Sequence, residues 1–175
     1  MKKTVVICGD CGEKELTREI VRMCGENGGA LVCDGDRIYR TAEDPFFLIF
    51  SVCTLSDLYL PGSIVVLGKA LLQIRQDMNM EKCICILDGE NRDAAMLAAS
   101  SGAAAIGCSM SGHDTMTVSA FNEDDRAVIT LRRRILTENA TIEPCEFIVR
   151  RTDEKNIYPL LAASAVLLVS GKIPN

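Results

Sequence analysis

The chain opens on Thr4-Val5-Val6-Ile7-Cys8, an apolar run that breaks into Gly9-Asp10-Cys11-Gly12-Glu13-Lys14 and then into helix-like sequence from Glu15. Strand, glycine-rich loop and helix, in that order, constrain the fold more than any other stretch. In an open α/β sheet the first strand-to-helix turn cradles a phosphate, with backbone N–H groups and the positive end of the helix dipole directed at it. The loop over residues 9–14 is therefore the first functional candidate.

The alternation continues along the chain. Residues 15–25 carry Leu16, Ile20, Val21 and Cys24 on one helix face, and Gly25, Gly28 and Gly29 stop that helix. Residues 30–33 form a short buried strand, followed by the Asp34-Gly35-Asp36 turn and Arg37-Ile38-Tyr39. Asp44-Pro45 predicts a helix running through Phe46, Phe47, Ile49 and Phe50, since a proline in the first turn lacks only an N–H that would be unpaired there. Residues 63–67 read as a strand and 68–78 as a return to helical spacing. Residues 82–87, 91–101 and 103–108 read as strand, alanine-rich helix and strand.

Beyond His113 the texture changes. Residues 115–121, 127–131 and 146–149 alternate or are β-branched between polar turns, which predicts antiparallel strands appended to a parallel sheet. A final apolar helix spans residues 157–169, capped by Asp153 or Asn156. The expected architecture is one α/β domain over residues 1–175, a mostly parallel sheet with flanking helices and antiparallel strands near the C-terminus.

A chain of 175 residues can bury a sizeable core. Its net charge of −5 and pI near 5.0 argue against nucleic acid or an anionic membrane as partner, because both need a basic face. A small molecule or a protein is expected instead, with a homo-oligomer compatible with either. No apolar signal stretch of the usual length follows Met1-Lys2-Lys3, and residues 157–169, interrupted by Pro159, fall short of the ~20 residues a bilayer span needs. The expected location is cytoplasmic. Nine cysteines, an odd count without a secretory signal, argue against a disulfide framework. Most read as small buried hydrophobes, Cys83 and Cys85 inside a strand and Cys8 and Cys33 at strand ends.

Three stretches together resemble the central, ATP-binding domain of the Mur ligases and the related C-terminal ligase region of cyanophycin synthetase. Val6-Ile7-Cys8-Gly9-Asp10-Cys11-Gly12 is similar to the family's strand and Gly-Thr-Asn-Gly-Lys-Thr loop, with residues 33–39 resembling the Thr-Asp-Gly-Ile-Tyr segment after the next strand. Cys85-Ile86-Leu87-Asp88-Gly89-Glu90-Asn91 stands where the family has Val-Leu-Asn-x-Asp-Asp. Asn156-Ile157-Tyr158-Pro159-Leu160-Leu161-Ala162-Ala163 resembles the His-Asn-x-x-Asn-x-x-Ala-Ala helix that closes the domain. The resemblance covers most of the chain, and it implies Mg-ATP bound over the loop with Asp88, Asn91 and Asn156 on the nucleotide side.

The departures are chemical. The family's phosphate-holding lysine falls on Glu13 and its Mg²⁺-binding threonine on Lys14, and a carboxylate there repels the phosphate it should hold. Asp88 replaces asparagine, while Lys155 and Pro159 replace the family's histidine and second asparagine; Asn156 matches. Residues 44–68 are shorter than the family's acceptor-side region, and its metal-binding glutamate, its histidine stretch and its modified lysine have no counterpart.

Other chemistry is weighed against plainer readings. Cys8-x-x-Cys11 has the placement of a redox pair between strand and helix, but Asp10 opposes thiolate formation. As a metal site it needs Cys33 or Cys108 at neighbouring strand ends. His113 follows a Ser-Met-Ser-Gly loop with no placed partner, and Arg132-Arg133-Arg134 reads as a solvated strand or hairpin face. The favoured expectation is a stand-alone Mur-ligase-like domain with a degenerate phosphate loop, no longer a ligase, acting as a small-ligand-binding or accessory protein. The alternatives are an ATP-binding ligase or ATPase that uses Lys14 and works with a partner chain, and a thiol-redox or metal protein built on Cys8 and Cys11.

Overall fold

A computed structural model describes residues 2–9, 14–53, 58–69, 78–122, 124–137, 140–151 and 156–174. Asp10, Cys11, Gly12, Glu13, Asp153 and Lys155 lie outside the described residues, as does most of the helix expected over residues 68–78.

In chain order the elements are β1 (Lys3–Cys8), α1 (Glu15–Glu26), β2 (Ala30–Asp34), β3 (Arg37–Arg40), β4 (Phe47–Val52), β5 (Ile64–Leu67) and β6 (Ile84–Asp88). Then follow α2 (Arg92–Ser100), β7 (Ala104–Cys108), β8 (Met116–Asn122), β9 (Arg126–Leu131), β10 (Ile135–Leu136), β11 (Thr141–Ile142), β12 (Cys145–Arg150) and α3 (Tyr158–Val169). Ten strands form one sheet in the order β3-β2-β4-β1-β5-β6-β7-β8-β9-β12, and β10 pairs antiparallel with β11 apart from it. The sheet is parallel from β2 to β8 and antiparallel at both flanks.

The opening run thus lies mid-sheet, and its period-two alternation divides the core into two layers. Val5 and Ile7 pack with Leu16, Ile20 and Met23 of α1 and with α3; Val6 and Cys8 pack on the other face with Val65, Leu67, Met80, Cys85 and the α2 residues Leu97 and Ala98. Every residue of α3 is buried, so the helix is apolar on all sides, as a helix enclosed by a core must be. Each buried Leu or Val there contributes about 1.5–3 kcal/mol relative to exposure. Among the described residues no helix is long and apolar enough to cross a membrane.

Two expectations are corrected. The helix predicted from Asp44-Pro45 is instead strand β4, wedged in parallel register between β1 and β2, with Val5 opposite Ile49 and Ile49 opposite Val32. A Phe-Leu-Ile-Phe-Ser-Val segment suits a pleated ladder, and pairing on both sides outweighs a local proline signal. The closing helix starts after Ile157 with no side-chain cap, and Asn156 is engaged elsewhere.

Candidate functional site

The chain leaves β1 for α1 on one face of the sheet and proceeds from β5 toward β6 on the other side of β1, so a crevice opens at the carboxyl ends of β1 and β5. Gly9 turns there with φ +87°, a conformation open to glycine at no steric cost. Its N–H donates to Val52 O at 3.0 Å and the Gly68 N–H donates to Cys8 O at 2.7 Å, so both neighbouring strands hold the root of the loop.

Past the loop, Lys14 is itself left-handed (φ +53°) and supplies no side-chain cap to α1. Its Nζ lies 3.4 Å from Asp34 Oδ2 at the end of β2. Glu15 opens α1, so its carboxylate sits at the positive end of the helix dipole, where an incoming anion would sit. Asn156 Nδ2 donates to Glu15 Oε2 at 3.2 Å. The structure brings Glu15, Gly68, Lys69 and Asn156 together around a cleft of about 10 Å³, room for one water.

The other sequence-predicted positions lie at the end of β6. Asp88 Oδ1 accepts from the Glu90 N–H at 3.1 Å, a local turn, and Asn91 Oδ1 accepts from the Ala94 N–H at 3.2 Å, capping α2. Asn91 Nδ2 points back to Lys69 O at 3.5 Å. Each polar side chain of the expected nucleotide side is thus already partnered within the protein.

A cluster that sequence reading missed adjoins them. The Asp114 carboxylate fits against Gly89 and Gly107, where a Cβ at either glycine would collide with it. It accepts a short hydrogen bond from Ser109 Oγ, and the Ser111 N–H donates to that same Oγ at 2.9 Å. The available signal was a glycine inside β7 beside another just past β6, two side chains omitted at facing strand ends.

Cys8 and Cys108 are placed against nucleophilic chemistry. Cys8 is buried in the core and burial pushes its thiol up to about 12, opposite to what a reactive thiolate needs. Cys108 is likewise raised, first by burial and then by the nearby Asp114 and Asp88 carboxylates. Cys33 and Cys108 are not at neighbouring strand ends as a metal site with Cys8 requires. β4 separates β2 from β1, and β5 and β6 separate β7 from it, roughly 10 and 14 Å at ordinary strand spacing. Among the described residues no group of three His, Cys, Asp or Glu side chains converges for a metal. His113 is exposed, and so are Arg132, Arg133 and Arg134 just past β9.

Comparison with solved structures bears on this architecture. The chain superposes on the MurF ligase from Thermotoga maritima in complex with ADP, with a TM-score of 0.58 at 8% identity over 99% of this chain and 47% of that one. The fold is Mur-ligase-like. It is equally similar to a UDP-N-acetylmuramoyl-L-alanyl-D-glutamate–2,6-diaminopimelate ligase (TM-score 0.56, 10% identity, 97% of this chain and 44% of that one). A third match is the UDP-N-acetylmuramoylalanyl-D-glutamyl-2,6-diaminopimelate–D-alanyl-D-alanyl ligase from Acinetobacter baumannii (TM-score 0.54, 11% identity, 98% and 44%). The chain therefore spans less than half the length of these Mur ligases. No protein-family model and no curated protein sequence matches it. The likeness to cyanophycin synthetase stays with the sequence motifs.

Proposed function

We propose that this is a Mur-ligase-like domain whose phosphate loop has lost its phosphate-holding charge, and that it serves as a small-ligand-binding or accessory protein rather than as a ligase. The observation that carries this reading is Lys14, whose ammonium lies 3.4 Å from the Asp34 carboxylate at the end of β2. It is the one basic residue of the loop sequence, and Glu13 precedes it where the fold's ligases place their lysine. Glu15 at the α1 N-terminus, with Asn156 bound to it, places a carboxylate where a polyphosphate would meet the positive end of the helix dipole.

The test is the thermal shift of the full chain with Mg-ATP. No shift is expected, in the wild type or in Lys14→Ala. A specific observation favours a second reading: one of the similar solved structures is a MurF ligase in complex with ADP. In that reading ATP still binds, through Lys14 and the backbone of residues 9–12, and a partner chain supplies the acceptor machinery. An Mg-ATP shift present in the wild type and abolished in Lys14→Ala would establish it and overturn the degenerate reading.

A further inference from the structure

Three turns lead into the parallel strands β5, β6 and β7, and they repeat at intervals of twenty residues: Pro61-Gly62, Glu81-Lys82 and Ser101-Gly102, each two residues before its strand. They are laced together, since the Gly62 N–H donates to Lys82 O at 2.9 Å and the Met80 N–H donates to Ser101 O at 2.8 Å. The second residue of each turn is left-handed, with φ +79° at Gly62, +65° at Lys82 and +75° at Gly102. Two of the three positions are glycine, which adopts this conformation freely; the middle one is lysine, whose Cβ makes it costly. A strained residue kept where its neighbours are relaxed points to a use for its side chain.

Lys82 lines a cavity of about 190 Å³ at the amino ends of the strands, opposite the loop end of the sheet. Lys3 lines it too, from the start of β1, and among the described residues no acidic one does. Among the described residues neither lysine has an ion-pair partner, although the chain as a whole carries a charge of −5. The remaining wall is largely apolar, with Ile64, Ile84, Leu136 and the last residue of α3, Val169. The negative end of that helix's dipole works against added negative charge, so a singly charged head is held more easily than a doubly charged one, while two ammonium groups exclude a cation. The volume lies below the ~300 Å³ where drug-sized pockets begin, so the guest is small.

The geometry points to a binding site for a small organic monoanion, a carboxylate with a short apolar body, whose head lies between Lys3 and Lys82 and whose body lies on Ile64, Ile84 and Val169. This site is independent of whether the loop end binds ATP. The probe is hexanoate, titrated into the full chain and followed by amide chemical shifts. Saturable shifts are expected at Lys3, Gly62 and Lys82, with none from hexan-1-ol at equal concentration. Lys82→Gly removes the charge and relieves the backbone, so it should weaken hexanoate about tenfold or more and raise Tm by about 2–4 °C. Lys3→Ala should weaken hexanoate without raising Tm. The proposal is overturned if hexanoate gives no saturable shift up to about 20 mM, if hexan-1-ol moves the same amides, or if Lys82→Gly binds hexanoate as the wild type does.

Discussion

Asn156 Nδ2 donates to Glu15 Oε2 at 3.2 Å, joining the chain two residues before the closing helix to the first residue of the opening one across 141 positions of sequence. Both side chains are half-buried, and the bond has a charged acceptor. Asn156→Ala should therefore cost about 1.5–3 kcal/mol, seen as a lower urea midpoint with an unchanged slope. Glu15→Gln keeps an acceptor in place and should cost less. Equal midpoints for wild type and Asn156→Ala would show that the pair contributes nothing.

Tyr158 fastens α3 to the sheet. Its hydroxyl donates to Leu67 O at 2.5 Å, at the end of β5, and lies 3.4 Å from Ile86 O, midway along β6, in a buried site. Tyr158→Phe keeps the ring packing and removes only the hydroxyl, so the expected loss is about 1–1.5 kcal/mol. Calorimetry should read a Tm lower by about 2–6 °C for a chain of this size. A Tm unchanged or raised would mean the carbonyls are as well satisfied without it.

The Asp114 carboxylate occupies space that two glycines leave open. Gly107→Ala drives a methyl group into it and should destabilise by about 1–3 kcal/mol, the usual range for overpacking. Asp114→Ala vacates the space, so the double variant should recover much of the loss. A double-mutant cycle on unfolding free energies measures this, with a coupling of about 1 kcal/mol or more expected between residues in contact. Simple additivity would remove the carboxylate from contact with the glycine.

Buried thiols make stability fall at alkaline pH. Cys8 has its thiol raised from 9.0 to about 12, and Cys24, Cys85 and Cys108 are also raised, in each case mainly by burial. Unfolding releases thiols that ionise near 9, so between about pH 9 and 12 the unfolded chain binds fewer protons than the native one. Stability should be unaffected by these groups below pH 9 and fall above it by about 1.4 kcal/mol per pH unit for each thiol. Urea midpoints at pH 7 to 10.5 check the sign. Cys8→Ala should flatten the slope, and a midpoint that held steady to pH 10.5 would contradict the account.

Much of the architecture was legible from periodicity. Residues 4–8 alternate sides of a buried strand, residues 84–108 spell strand, helix and strand with Asn91 as the helix cap, and the β-branched texture after His113 announced the antiparallel flank. These are local facts, because a strand's two faces and a helix's capped end are written within a few residues.

What eluded local pattern has one cause. Whether Phe47–Val52 is strand or helix depends on an empty slot between β1 and β2, since a ladder on each side outweighs a proline signal. The same holds for polar side chains. Lys14 meets Asp34, Asn156 meets Glu15, and Asp114 finds the gap between Gly89 and Gly107, all through contacts made only when distant strand ends converge. The residue types for a nucleotide loop can be read along the chain from Gly9 to Lys14. Where the Lys14 ammonium lies is set by which carboxylate the folded sheet brings within reach, because the strongest partner for a charge is the nearest opposite one, whatever its distance in sequence.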